Sequence, residues 1–143
     1  ALALSRYLRA GVRSTHEAAA YLERHGVPRE EAARLISASV QRRALDDAAC
    51  ARLWAGQWVR QGYAASAIRL KLAAKGLPAL AIDEATRECA DPAEEEQRAR
   101  RVAEQPSRRG ADRRTGDRLA RTLASRGFDA DVIERVLGEP FER

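Results

Sequence analysis

Three stretches of this chain follow one pattern: YLERHGVP at residues 21–28, KLAAKGLP at residues 71–78 and TLASRGFD at residues 122–129. Each has a leucine, a glycine four residues later and an apolar residue directly after the glycine, and the glycines lie 50 and 51 residues apart. An apolar residue also recurs one helical turn before each leucine, and a basic residue directly before each glycine: Ala18, Ile68 and Leu119, then His25, Lys75 and Arg126. A recurrence at this spacing is typical of repeated helical units.

Each repeat is predicted to contain three helices. Ser14 and Glu17 have the spacing of a capping box at the start of a second helix, and Gly26 can end that helix in a left-handed conformation. A third helix can then begin after the glycine, at a position that Pro28, Pro78 and Asp129 occupy in the three repeats.

The chain shows little tendency to form strands. Alternating β-branched runs are absent, and aromatic residues make up only 5% of the sequence, which disfavours a sheet. We therefore predict an all-α protein of about nine helices. They form three tandem three-helix repeats in an elongated, curved array, with repeats at residues 1–45, 46–90 and 91–143.

Composition points to a soluble protein with a cationic surface. The net charge is +5, and Lys71 and Lys75 are the only lysines among 26 basic residues. Arginine at this density suits bidentate contacts with phosphate or carboxylate, but a GC-rich genome would explain it equally well. No apolar run reaches the roughly 20 residues of a membrane span, and Cys50 and Cys89 lack metal or redox spacing. A cytoplasmic protein is therefore expected, and we expect a monomer because the apolar face of the repeats is needed for folding.

Charge is segregated in the second half of the chain. Seven acidic residues lie between Asp83 and Glu96, and nine arginines lie between Arg98 and Arg121. The basic run can contact nucleic-acid phosphates, meet an acidic protein groove, or form a solvated helix face beside a loop at residues 105–111.

Nothing in the sequence predicts catalysis, a metal or a cofactor. His16 and His25 have no ligand or catalytic spacing, and hydrolase, phosphate-loop and zinc motifs are absent. Trp54 and Trp58 align with the apolar Leu4 and Leu8, so we expect them to pack in the core. Tyr63 is either an exposed contact or a loop cap.

Three segments resemble the RecX family of bacterial recombination regulators: RSTHEAAAYLERHGV, ALDDAACARLWAGQWVRQGYAASAIRLKLAAKGL and LARTLASRGFDADVIERVL. The middle segment is the most specific, since it combines Leu45–Asp47, the basic-x-Gly-Tyr element at Arg60–Tyr63, and the Leu72–Gly76 spacing. The first repeat departs from the commoner pattern, because Ala18–Ala20 precede Tyr21 and Leu22 without the usual basic residue.

The resemblance implies a non-catalytic regulator that binds the RecA recombinase and its filament on DNA. Such proteins restrain ATP hydrolysis, strand exchange and co-protease activity in recombination, DNA repair and the SOS response, and some bind single- or double-stranded DNA directly. The residues expected to contact RecA or DNA are basic or aromatic: Arg60, Tyr63, Arg69, Lys71, Lys75, Arg108, Arg109, Arg113, Arg114, Arg118 and Arg126.

Two other functions fit the sequence. A helical DNA-binding module, such as a transcription factor acting without RecA, would explain the charge and the three-helix repeats. A passive helical scaffold would also fit, and it would bind proteins without regard to DNA or nucleotide.

Overall fold

The computed structural model describes residues 2–105 and 113–138, with the backbone alone at residues 2, 3 and 113–115. These residues form nine α-helices and no strand, as predicted. The helices are α1 (Leu2–Arg9), α2 (Thr15–Arg24), α3 (Arg29–Gln41), α4 (Asp47–Arg60), α5 (Ala65–Ala74), α6 (Ala79–Cys89), α7 (Pro92–Glu104), α8 (Arg113–Ser125) and α9 (Ala130–Leu137).

The repeated Leu–Gly–apolar pattern forms the same turn three times, at the ends of α2, α5 and α8. The glycines have φ values of +72°, +79° and +92°, and in each turn the amide after the glycine donates to the carbonyl of the repeated leucine at 3.0–3.3 Å. This bond closes a Schellman cap and turns the chain into the next helix. The three turns confirm the three-helix repeats.

Side-chain caps fix several helix starts. Ser14 and Glu17 form the predicted capping box at α2. Asp46 accepts from the Ala49 amide at 3.0 Å at the start of α4, and Asp91 accepts from the Glu94 amide at 3.1 Å at the start of α7. Each bond satisfies one of the amides that a helix N-terminus leaves unpaired.

Pro28 and Asp129 start their helices without a side-chain bond. Both are N-cap residues, and neither side chain makes a capping hydrogen bond. Extended backbone dihedrals, with ψ of 146° and 153°, therefore mark these two starts.

Close packing divides the chain into two compact units. The N-terminal unit comprises Ala1–Trp54 with Lys71–Ala85, and the C-terminal unit comprises Ala55–Leu70 with Thr86–Arg143. The boundaries between them fall inside α4, α5 and α6. The repeat boundaries after residues 45 and 90 stay a prediction.

Each unit has its own apolar core. In the N-terminal unit Leu4, Ala18, Leu22 and Leu45 are buried, with half-buried side chains of α1, α2 and α3 around them. In the C-terminal unit the buried cluster joins α7, α8 and α9 to the start of α5, through Ala64, Ala99, Val102, Ala120, Leu123, Phe128, Val132 and Ile133. The repeated leucines are thus core residues of both units.

Candidate partner-binding surface

The start of α2 is held by residues of the following repeat. Both oxygens of the Asp47 carboxylate accept hydrogen bonds from Thr15, one from the amide at 2.8 Å and one from the hydroxyl at 2.9 Å. The His16 ring lies directly against Gly76, where a Cβ would overlap it. The first turn of α2 therefore contacts two residues of the second repeat, the Asp47 carboxylate and Gly76.

The start of α5 has an equivalent arrangement within the C-terminal unit. Glu95 accepts from the Ala65 amide at 2.7 Å, and the Ser66 hydroxyl donates to the Gly127 carbonyl at 2.6 Å. The helix N-terminus again meets a carboxylate from the first helix of the next repeat and the glycine that ends its second helix. We call this arrangement the repeat junction.

The basic residue before each glycine lies on an aromatic ring of its own unit. The His25 ring is 4.1 Å from that of Tyr21, the Lys75 ammonium is 4.2 Å from the Trp54 centroid, and the Arg126 guanidinium is 5.1 Å from the Tyr63 centroid. Cation–π and ring contacts of this kind orient the side chains. Lys75 and Arg126 therefore have an internal role besides the partner contact predicted for them.

The turn after α4 joins two predicted contact residues. Arg126 donates to the Gln61 carbonyl and lies over Tyr63, and its own carbonyl accepts from the Ala64 amide at 2.9 Å. Tyr63 is half-buried, so the loop-capping interpretation of its role is favoured.

The other predicted residues of the middle repeat lie apart from this turn. Arg60 is exposed on the last turn of α4. The Arg69 guanidinium is exposed and donates to the Thr86 hydroxyl at 3.1 Å. Lys71 is half-buried and, with Lys75, belongs to the N-terminal unit, whereas the remaining predicted residues belong to the C-terminal unit.

Apart from Arg126, which follows α8, the predicted arginines of the third repeat lie on α8 or before it in the sequence. Arg118 is exposed on this helix, as is Arg121 one turn later. Arg113 and Arg114 form its first turn, with only their backbone described, and Arg108 and Arg109 lie outside the described residues. The described part of α8 therefore presents exposed positive charge.

Arg98 belongs to the basic run in the sequence but is a core residue. It is 4% exposed, and its guanidinium donates to the carbonyls of Tyr63 at 3.0 Å and Cys89 at 3.3 Å. Its place in the basic run alone predicts a surface position, which is wrong for this residue. The helical position could have revealed it, since Arg98 shares the buried face of α7 with Ala99 and Val102.

Of the two tryptophans expected to pack in the core, Trp58 is buried there and Trp54 is only partly covered. Trp58 is 8% exposed, while Trp54 is half-buried beneath Lys75. Cys50 and Cys89 are buried free thiols, and burial raises the pKa of both, that of Cys50 to about 11. At neutral pH these thiols are protonated and therefore weak nucleophiles.

Across residues 2–105 and 113–138, no group of three or more His, Cys, Asp or Glu side chains could hold a metal ion. Within the same ranges, no helix combines the length and the apolar character that crossing a membrane requires.

Comparison with known proteins shows what this chain is similar to. A family model described as RecX, second three-helix domain, matches residues 46–85, and a search of curated proteins found no match. RecX from Lactobacillus salivarius shares the fold with a TM-score of 0.81 and 18% identity, over 95% of this chain and 90% of that chain. The crystal structure of a regulatory protein RecX shares the fold with a TM-score of 0.81 and 24% identity, over 96% of this chain and 70% of that chain. The matched middle repeat and the shared fold confirm the resemblance of this chain to the RecX family.

Proposed function

We propose that this protein binds the RecA recombinase and its filament on DNA and restrains ATP hydrolysis, strand exchange and co-protease activity. The observation that carries the proposal is the match of residues 46–85 to the second three-helix domain of RecX. The fold shared with solved RecX proteins along most of the chain supports it.

The surface chemistry is compatible with a filament partner. Arg60, Arg69 and Arg118 are exposed, and such side chains can contact both acidic protein surface and DNA phosphates. Several weak contacts made by one chain act together, so binding can be tight without any single strong site. Binding through arginine–phosphate pairs should weaken steeply as salt rises.

DNA-dependent ATP hydrolysis by the cognate RecA, titrated with this protein at physiological salt, tests the proposal. Suppression at or below one chain per recombinase is the expected result, with DNA binding in the absence of RecA measured in parallel. Unchanged hydrolysis at saturating protein would refute the proposed function.

A pair of charge-reversal variants tests the contribution of α8. We expect Arg118→Glu with Arg121→Glu to weaken suppression by about tenfold or more, because both side chains are exposed on one face. Arg34→Glu with Arg42→Glu makes the same charge change at exposed positions of α3 and its C-cap, and serves as the control. Equal effects of both pairs would show that net charge alone matters. Reversing Arg108, Arg109, Arg113 and Arg114 extends the test along the basic run.

The basic α8 also favours a second candidate function, that of a DNA-binding module acting without RecA. That function requires sequence-selective duplex binding. Competition between duplexes of different sequence, measured without RecA, separates the two functions, since a filament regulator needs no preferred sequence.

A further inference from the structure

Four flat side chains contact one another in succession in the N-terminal unit, with Tyr7 and Tyr21 stacked and His25 tilted against Tyr21. The Arg13 guanidinium lies 4.4 Å from the Tyr7 centroid, the rings of Tyr7 and Tyr21 stack at 4.1 Å with an angle of 12°, and Tyr21 and His25 follow at 4.1 Å and 31°. We call Arg13, Tyr7, Tyr21 and His25 the aromatic column. Spacings near 4 Å are those of stacked aromatic groups.

The outer end of the column is accessible. His25 is exposed, and its Nδ1 lies 2.9 Å from the Tyr21 carbonyl, which orients the ring. The neighbouring Gly26 is also exposed, and a Cβ placed there would meet nothing within 4 Å. The equivalent glycines of the other repeats are covered, Gly76 by His16 and Gly127 by Ser66 and Ala67.

This end of the column differs from a repeat junction. Each junction supplies a carboxylate from the first helix of the receiving repeat, but α1, Leu2–Arg9, contains no acidic residue. The helix N-terminus of a second copy would therefore lack its acceptor here. At the position directly before the repeated glycine, the first repeat has the flat imidazole of His25. The other two repeats have the flexible side chains of Lys75 and Arg126 there.

We propose that the aromatic column is a stacking site for a base of single-stranded nucleic acid, which lies on the outer face of His25. Every base has a π-face, so a stacked ring binds it with little regard to sequence. The exposed Arg24 and Arg29 flank His25 in the chain and can contact adjacent phosphates. The proposal deepens the proposed function, on which it rests, by naming the class of ligand that the first repeat binds.

Local charge separates this site from the basic α8. Arg24 and Arg29 are accompanied by Glu23, Glu30 and Glu31, all exposed, so acidic side chains outnumber basic ones by one on this surface. Stacking rather than counterion release must then provide most of the affinity, and the contribution of His25 should change little with salt.

The test compares two single strands of equal length and charge in the absence of RecA. One is an oligothymidylate of about 12 nucleotides, and the other carries abasic residues in place of the bases. We expect His25→Ala to weaken binding of the thymidylate by about five- to tenfold and to leave the abasic strand unchanged. His25→Phe should restore the difference, whereas Arg24→Ala should weaken both strands equally.

A second measurement reports the stacking directly. The chain has two histidines, so His16 is an internal reference for His25 in NMR spectra of the imidazole protons. Thymidylate should shift the His25 ring protons upfield through base ring currents, and the His16 protons should stay in place.

Three results would overturn the stacking site. One is an equal loss of both strands in His25→Ala, and another is bound thymidylate with no shift at His25. The third is weaker binding of His25→Ala to RecA in the absence of DNA, with unchanged affinity for the thymidylate strand. That result would show that the aromatic column contacts protein and not a base. Suppression of ATP hydrolysis by the unmodified chain is measured separately and tests the regulatory function alone. The strand-binding and NMR results test the stacking site alone, so either proposal can be refuted without the other.

Discussion

Glycines with the same backbone conformation differ in what lies beside them. Gly26 and Gly127 both have positive φ, at 72° and 92°. Around Gly26 the space is open, whereas a Cβ at Gly127 would lie 2.8 Å from the Ala67 Cβ and 2.9 Å from its backbone nitrogen. The first glycine is needed for its conformation alone, and the second also for the close approach of two backbones.

Replacing each of these glycines by alanine should separate the two effects. We expect Gly26→Ala to lower the free energy of unfolding by about 1 kcal/mol, the cost of a left-handed alanine. Gly127→Ala should cost a further 1–3 kcal/mol or so, because backbone must move to admit the methyl group. Urea unfolding of both variants measures the difference, and equal losses would contradict the close packing at Gly127.

Arg98 is a second residue whose role depends on burial. Arg98→Met removes the donor to two carbonyls and should lower the free energy of unfolding by about 3 kcal/mol. Arg101→Met, on an exposed position of the same helix, should stay within about 0.5 kcal/mol. Similar urea midpoints for the two variants would show that the buried guanidinium adds no stability.

At the scale of elements, α7 contacts the rest of its unit through polar side chains at residues 95, 96 and 98. Glu95 caps α5, Arg98 bonds two carbonyls, and Glu96 accepts from Arg135 of α9 at 2.5 Å. Arg100 lies 3.6 Å from the same Glu96 carboxylate. These contacts tie a helix rich in charge to the C-terminal unit.

Stability of the α7–α9 contact should depend on pH with a defined sign. The hydrogen bond from Arg135, strengthened by the charges of Arg135 and Arg100, lowers the pKa of Glu96. A carboxyl group whose pKa is lower in the folded state stabilises the fold at pH values above its unfolded-state pKa. This stabilisation is lost as the pH falls through the folded-state pKa. Glu96→Gln should therefore lower Tm at pH 7 but lose this effect below about pH 4. Thermal melts across this range, at low and high salt, check the prediction, and a constant difference would contradict it.

The sequence predicts elements well wherever their signals are local. The capping box at Ser14, the glycine turns and the proline after two of them depend on residues a few positions apart, and all appear in the structure. The contact between Thr15 and Asp47 joins residues 32 positions apart, so no local pattern contains it. For the same reason the basic residues were identified but their partners were not: Lys75 lies on Trp54, and Arg98 is buried.

The aromatic column shows the same limit. Tyr7, Arg13, Tyr21 and His25 are ordinary surface residues in the sequence, and their order in the stack follows from how α1 packs against α2. Of the four residues in the column, only His25 has a signal in the sequence, since it aligns with Lys75 and Arg126 before the repeated glycines. Contact with a partner at the predicted arginines stays a prediction, because the sequence gives only their charge, and the structure adds the exposure of Arg60, Arg69 and Arg118.

At the scale of the whole molecule, α4, α5 and α6 each contribute residues to both compact units. Cys50 belongs to the N-terminal unit and Cys89 to the C-terminal unit, and both thiols are buried. Each unit thus contains one natural probe of its opening.

Thiol labelling should show whether the units unfold together. With a Cys50 pKa of about 11, only about one thiol in a thousand is ionised at pH 8, so labelling of the native chain should be slow. The Cys89→Ser variant leaves only the Cys50 thiol, and the Cys50→Ser variant leaves only the Cys89 thiol. Because α4, α5 and α6 each have residues in both units, we expect the two remaining thiols to become reactive over the same range of urea concentration. Earlier reactivity of one thiol would reveal independent unfolding of its unit.

The period of the sequence and the compact units are out of phase, and this restricts how such a chain can be rearranged. Removing the predicted second repeat, residues 46–90, would take Lys71–Ala85 from one unit and Ala55–Leu70 from the other. Exchange of a single repeat between relatives therefore disturbs two cores at once. Duplication can generate the repeats, but because each compact unit contains residues of two repeats, recombination between homologous genes is tolerated only where both segments of each unit are inherited together.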